Sequence, residues 1–339
     1  MKEYPLISII LPVYNGEAFL NEVIQCILNQ TYKNFELIIV NDCSTDRSLV
    51  IANTYACLDR RIKIINNNEN KKLPTSLNIG HEEAIGDLLT WTSDDNLIKV
   101  NFLESLYYAI IREKCDLVFS NYDIILSDGS IKREHVTGPV QKLLFGNVIG
   151  ASFLYKKKIF SEMGGYNPNL FLVEDYDFFL RASLKFEFYH LNENLYQYRI
   201  HEKSLTRRIG SDKNYSDLHS KSLKQLYRGL NSAILLHKPT IKLILDLYFN
   251  SSIELKTYIK NSKIIKKDIK LFQRTIKYKQ GKSSLYFLEE AIKNNWIKNS
   301  CELNVGNLIR VSFSQNSILF GENSNRNMTL RIIYLCFKW

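Results

Sequence analysis

Leu6 to Val13 (LISIILPV) is a nearly unbroken apolar run, the pattern of a strand covered on both faces. Tyr14-Asn15-Gly16 breaks it, and apolar residues then recur at Phe19, Leu20, Val23, Ile24, Ile27 and Leu28, a helical period over Ala18–Leu28. Phe35–Val40 predicts a second strand, Asn41–Thr45 its polar exit, and Asp46–Tyr55 a helix capped by Ser44 or Thr45. Ile62–Ile65 predicts a third strand, Asn66–Pro74 an irregular stretch, and Ser76–Ala84 a helix. Leu88, Leu89 and Trp91 make a short strand that Thr92-Ser93-Asp94-Asp95-Asn96 ends abruptly, and a helix follows over Phe102–Ile111. Further strands are expected at Asp116–Tyr122, Asn147–Tyr155 and Tyr196–Glu202. Ser127-Asp128-Gly129-Ser130 is a hairpin-like turn that allows antiparallel members. Glu174–Arg181 reads as a helix with Phe178, Phe179 and Ala182 inward.

Alternating strands and helices of this kind predict an α/β fold with a doubly wound, mostly parallel sheet. Residues 1–210 carry that pattern and form one expected domain; residues 211–339 show only helical patches, at Leu218–Leu236 and Ile241–Ile259, and form a second, mainly helical region. With 45% hydrophobic and 24% charged residues, the 339-residue composition excludes wholesale disorder. The longest uncharged apolar stretch, Leu143–Tyr155, falls short of the roughly 20 residues that span a bilayer. The six cysteines form no C-x-x-C pair and follow no secretory signal, so they are expected as buried thiols in a reducing cytoplasm.

Charge divides the chain. Residues 211–339 hold 22 Lys and Arg against 9 Asp and Glu, leaving 23 against 26 in residues 1–210. The basic end, closing on Arg331–Trp339 with Ile333, Phe337 and Trp339 among its cations, suggests peripheral contact with an anionic membrane; helices bundled on the first domain are the plainer alternative. No recognition motif accompanies the cations, so nucleic acid is not an expected partner.

The chemistry gathers at the strand exits, where ligands bind in open α/β sheets. Tyr14 offers a face for a base to stack on, and Asp42 an acceptor for base or ribose. Asp94 and Asp95 repel each other unless a cation or ample water offsets the charge, which suits Mg²⁺ or Mn²⁺; a solvated turn capping the next helix is the alternative. Asp175 stands in the first turn of its helix, as a reactive carboxylate or as a cap. G-x-G-x-x-G and G-x-x-x-x-G-K-[ST] are both absent from the places where they would act, which removes the dehydrogenase and P-loop readings.

Six blocks occur in order: ISIILPVYNGEAFL, FELIIVNDCSTDRS, LNIGHEEAIGDLLTWTSDDN, GASFLYKKKIFSEMGGY, EDYDFFLR and YRIHEKSLT. Over roughly residues 5–207 the chain thereby resembles the family 2 glycosyltransferases, inverting enzymes of the GT-A fold that include transferases of bacterial cell-surface polysaccharide synthesis. The resemblance implies a nucleotide-sugar donor, taken as uridine-linked, and a glycan or lipid-linked acceptor. It implies donor binding by Pro12, Tyr14, Asn15, Asp42, Asn78 and Asp94, a Mg²⁺ or Mn²⁺ cofactor on Asp94, Asp95 and His201, and Asp175 as catalytic base. Two positions depart from the common pattern, Asn41 and Thr92 standing where acids are usual. A nucleotidyltransferase would also want an acidic metal site, but PVYNGEAF lacks the basic phosphate loop; a basic membrane- or nucleic-acid-binding protein without catalysis is the non-enzymatic alternative.

Overall fold

The computed structural model describes residues 4–230, 234, 236–249, 251, 253, 255–276 and 284–298. Cys301, Cys336 and the segment Arg331–Trp339 lie outside the described residues. The chain runs β1 (Ile7–Val13), α1 (Leu20–Leu28), β2 (Phe35–Asn41), α2 (Ser48–Leu58), β3 (Ile62–Asn66), α3 (Leu73–Glu83), β4 (Leu88–Trp91), β5 (Leu97–Ile98) and α4 (Phe102–Glu113). It continues through β6 (Leu117–Ile125), β7 (Ile131–His135), a 3-10 turn at Val140–Phe145, β8 (Phe153–Lys156), α5 (Lys157–Met163), α6 (Glu174–Ser183) and β9 (Phe188–Arg199). Among the described residues five helices follow: α7 (Leu205–Ser211), α8 (Lys213–Leu230), α9 (Lys238–Tyr248), α10 (Leu255–Thr275) and α11 (Ser284–Lys298).

All the strands join one sheet in the order β3-β2-β1-β4-β8-β6-β9-β5, with β7 attached to β6. Pairing is parallel among β3, β2, β1 and β4 and again between β6 and β9; β8, β5 and β7 run antiparallel to their neighbours. The unbroken apolar run of β1 has its physical reason here. Ile7, Ile9, Leu11 and Val13 pack with α1 and α4, while Ile10 faces the opposite side with Leu77 of α3. The chain leaves β1 toward β2 and β3 and returns on the other side as β4, so the switch point lies between β1 and β4. Pro12 marks the opening: the β1–β4 ladder ends with Ile10 opposite Trp91, beyond which a residue without an N–H costs no pairing on that side.

Several expectations need correcting. Asn147–Tyr155 is strand only from Phe153; Gly150 takes φ +71°, and an added Cβ would stand 2.6 Å from the Tyr122 ring. Helix α2 starts at Ser48, capped neither by Ser44 nor by Thr45; Asp46 instead accepts the Ser48 N–H at 3.0 Å. The last strand ends at Arg199, so His201 sits in the loop beyond it. Of the described cysteines only Cys115 is buried, and Cys57 is exposed.

The second region does not stand apart. Leu223, Leu226, Tyr227, Ile244, Ile269, Phe272 and Leu288 of the C-terminal helices share one buried cluster with Leu143, Phe153, Tyr176, Phe178 and Phe179. Phe178 and Phe179 are fully buried, each contributing about 1.5–3 kcal/mol, which fixes α6 against the sheet. Asp268 of α10 accepts the His237 N–H at 2.8 Å and the Thr240 hydroxyl, anchoring the start of α9. Among the described residues no helix is long and apolar enough to cross a membrane.

Candidate active site

The loops after β1 and β2 are stitched together. The Asn15 N–H donates to Ser44 Oγ at 3.1 Å, the Gly16 N–H to Ser48 Oγ at 2.9 Å, and the Thr45 N–H to Asn15 Oδ1 at 2.8 Å. Asn15 and Cys43 hold φ of +56° and +61°, the left-handed conformation that such tight loops demand of side-chain-bearing residues only when their neighbours enforce it. Tyr14 stands at the rim, 51% exposed, with its ring available for stacking. Asp42 is buried and accepts the Asn67 amide at 2.8 Å and the Lys71 and Lys72 N–H groups at 2.8 and 3.0 Å. Three of its four acceptor positions are thus filled, and Asp42 holds the 67–72 loop as well as facing the site. Both ends of the Asn78 amide bond the Tyr166 backbone, at 2.7 and 2.8 Å, fastening α3 to the Gly164–Tyr166 turn. Asn78, expected at the donor site, thus carries a structural task as well.

The acidic pair meets these loops at the switch point. Asp94 Oδ2 accepts the Tyr14 N–H at 3.2 Å, and a Cβ on Gly16 would fall 2.3 Å from the same oxygen, so only glycine lets the β1 loop close on Asp94. Burial first and the neighbouring Asp95 second push the Asp94 carboxyl well above the usual range. Asp95 faces the other way: Oδ2 lies 2.9 Å from His201 Nε2, and Oδ1 is buried without a hydrogen-bond partner. An unpartnered carboxylate oxygen beside an imidazole fits a hard divalent cation. Among the described residues, no three His, Cys, Asp or Glu side chains converge as a ready-made metal set, since Asp94 is turned to the β1 loop. Neither acid caps α4, which has no side-chain cap.

Arg199 braces this corner and was not singled out by the sequence patterns. Almost wholly buried, it donates from Nε to the Asp95 carbonyl at 2.8 Å, from Nη1 to the Ser127 carbonyl at 2.9 Å and from Nη2 to Glu22 at 2.7 Å. Its guanidinium lies 4.5 Å from the Phe19 ring centre, and Phe19 packs on His201 at 5.1 Å. A buried arginine two residues before His201, in a strand of alternating polarity, was the available signal. Thr92, where an acid is usual, turns inward, its hydroxyl 2.7 Å from that of Tyr196, and Asn41 bonds Asn66 across the strand ends.

The second acid pair opens α6. Leu172, at φ +76°, turns the chain so that Glu174 and Asp175 enter the first helical turn. Asp175 Oδ1 accepts the Tyr176 N–H at 2.7 Å and Oδ2 accepts the Asn147 amide at 2.8 Å. Burial pushes Asp175 up to about 6 despite these bonds, each of which favours the ionised form. Glu174 is raised further, by burial and then by Asp175, and its buried Oε2 has no hydrogen-bond partner. Asn147 was missed from sequence because 28 residues separate it from the acid it holds. Tyr198 is influenced electrostatically by both Asp95 and Asp175, and its ring packs on Tyr122 at 6.0 Å, which puts the two acids in the neighbourhood of the same aromatic pair.

A mostly parallel sheet with its switch point between β1 and β4 and an acid pair there is the arrangement of a GT-A fold. Solved structures agree: S. aureus TarS in complex with UDP-GlcNAc superposes with a TM-score of 0.58 at 16% identity, covering 91% of this chain and 92% of that one. The mannosyltransferase PcManGT from Pyrobaculum calidifontis, in complex with GDP-Man and Mn²⁺, gives 0.54 at 14% identity over 98% of this chain and 86% of that one. The family model for glycosyl transferase family 2 matches residues 8–172. Glycosyltransferase GlyG of Streptococcus pneumoniae is 32% identical over 224 residues, 60% of this chain and 73% of that protein. The chain belongs to glycosyl transferase family 2.

Proposed function

We propose that this glycosyltransferase moves a sugar from a uridine-linked nucleotide donor to a hydroxyl of a surface-glycan or lipid-linked acceptor, with inversion and with help from Mg²⁺ or Mn²⁺. The observation that carries this reading is the two differently equipped acids that both act on Tyr198, Asp95 with an imidazole and Asp175 with an amide. The uridine preference draws support from the TarS neighbour, whose structure holds UDP-GlcNAc.

In this reading Tyr14 stacks on the base, and the side-chain amide of Asn15, with the remaining acceptor position of Asp42, orients the nucleoside. Asp95 and His201 would hold the cation, with Asp94 behind them. When bound, the cation stabilises negative charge on the departing diphosphate as a Lewis acid. Asp175 takes the proton of the acceptor hydroxyl as its oxygen bonds the anomeric carbon and the bond from that carbon to the diphosphate oxygen breaks. A carboxylate that binds its proton near pH 6 is a stronger base than an ordinary one and is still largely ionised at neutral pH. One displacement by a base-activated nucleophile inverts the anomeric centre.

The test is a screen of nucleotide sugars, UDP-GlcNAc and GDP-mannose among them, for nucleoside diphosphate release with Mg²⁺ or Mn²⁺. Turnover of one or more donors that stops on chelation is expected. No turnover and no binding of any nucleotide would overturn the proposal.

A further inference from the structure

Tyr227 sits in α8, well beyond the stretch that the family model matches, yet its hydroxyl reaches the support of Asp175. It donates to the Leu144 carbonyl at 2.8 Å and lies 2.8 Å from the hydroxyl of Tyr176, which in turn donates to the Leu143 carbonyl at 2.7 Å. Two hydroxyl protons serve three contacts, so one is shared, and both rings are buried. Each end of this bridge leads to one oxygen of the same carboxylate. The Tyr176 N–H holds Asp175 Oδ1, and Asn147, three residues past Leu144 and just beyond the 3-10 turn, holds Oδ2. One side chain from the C-terminal helices therefore pins both segments between which Asp175 is held.

We propose that α8 is part of the catalytic unit, with Tyr227 the positioning residue that sets Asp175 through Tyr176 and the Leu143–Asn147 segment. The inference rests on Asp175 being the base. It gives the C-terminal helices a task that packing alone does not require, because a phenylalanine would fill the same space. A carboxylate moved by even an ångström from the line of proton transfer loses much of its effect, whereas donor binding at the β1 and β4 loops is untouched. The groups in the electrostatic surroundings of Asp175 are Glu174 on its own helix, Tyr122 of β6, Tyr166 of the preceding turn, Tyr198 of β9 and Tyr248 of α9.

Tyr227→Phe, Tyr176→Phe, Asn147→Ala and the Tyr227→Phe/Asn147→Ala pair test it in the full chain. The probe is UDP-GlcNAc, or the sugar nucleotide that the donor screen identifies, with Mn²⁺. The expected result for Tyr227→Phe is a kcat about tenfold lower, a donor KM within about twofold of the parent, and an acid limb moved to higher pH as the Asn147 bond slackens. On the Asn147→Ala background the same change should add little, since both act on one contact. Tyr176→Phe, which removes the other hydroxyl of the bridge, should follow Tyr227→Phe and serves if that variant fails to fold. Parental kcat and acid limb in both tyrosine variants, or a loss of melting temperature and kcat with the limb unmoved, would overturn the proposal. If Asp175→Asn itself retained turnover, the base assignment would fall and the positioning role with it; inactive Asp175→Asn beside parental Tyr227→Phe would remove the positioning role alone.

Discussion

The site holds two pairs of adjacent acids, Asp94–Asp95 and Glu174–Asp175; in each, burial and the neighbouring acid raise one carboxyl, Asp94 or Glu174, but the partners that surround the pairs differ. The first pair ends a parallel strand, where backbone N–H groups, an imidazole and the buried Arg199 guanidinium crowd around it. The second opens a helix, where an amide and tyrosine rings surround it and no cationic side chain is bonded to either acid among the described residues. Repulsion within each pair is relieved accordingly. At Asp94–Asp95 the two carboxylates point to different partners, leaving one buried Asp95 oxygen that a cation would satisfy. At Glu174–Asp175 no cation is offered, so Glu174 is driven to keep its proton and Asp175 is left as a base of raised strength. Two adjacent acids thus meet different surroundings in the two places, which the proposed function reads as a metal platform at one and a proton acceptor at the other.

The largest expected effect breaks the second half of this comparison. Asp175→Asn keeps the shape and removes the basicity, so turnover should fall by roughly 10²–10⁴, read as nucleoside diphosphate release at saturating donor. Asp95→Asn comes next and breaks the first half. Removing a partner one step outside a metal's own ligands costs about 10–100-fold in affinity, so losing Asp95 itself should weaken Mn²⁺ binding at least that much. Asn147→Ala sharpens the picture at smaller scale. Its N–H stabilises ionised Asp175, so its loss raises that carboxyl further above 6 and moves the acid limb of the pH–rate profile upward, with a several-fold loss of rate at pH 6 and little at pH 8.

Glu174→Gln should be the quietest. Because the folded state holds the Glu174 proton more tightly than the unfolded chain does, the wild type is favoured below the ordinary carboxylate pKa and loses that advantage as pH rises through the raised folded value. Glutamine mimics the protonated acid, so melting temperatures should coincide near pH 4, and the variant should melt increasingly higher as pH rises toward 9.

How much of this was legible in the sequence follows the range of the interactions. The first four strands, their helices and the loops bearing Tyr14, Asp42 and Asp94 show as local patterns, because β1, β2 and β4 are mostly apolar on both faces, β3 is a short isoleucine-rich run and each exit is polar. Asp175 was visible as an acid in a first helical turn. β7 was not, since its five residues IKREH lie on the edge with almost no buried face and therefore no alternation. β5 is two residues long and exists only by pairing with β9. Arg199 meets Glu22 across 177 positions, and Tyr227 meets Leu144 across 83, contacts that no window of the sequence contains. The small residues Gly150 to Ser152 read as strand because their apolar neighbours look continuous; the positive φ of Gly150 is what ends the resemblance.

The division of labour between the two acid pairs is tested most directly by calorimetric titration of UDP, with Mn²⁺ present and absent, into the wild type, Asp175→Asn and Asp95→Asn. The account predicts that Asp175→Asn binds UDP with wild-type, Mn²⁺-dependent affinity while Asp95→Asn loses the Mn²⁺ dependence. Loss of binding in Asp175→Asn, or an unchanged Mn²⁺ dependence in Asp95→Asn, would contradict it.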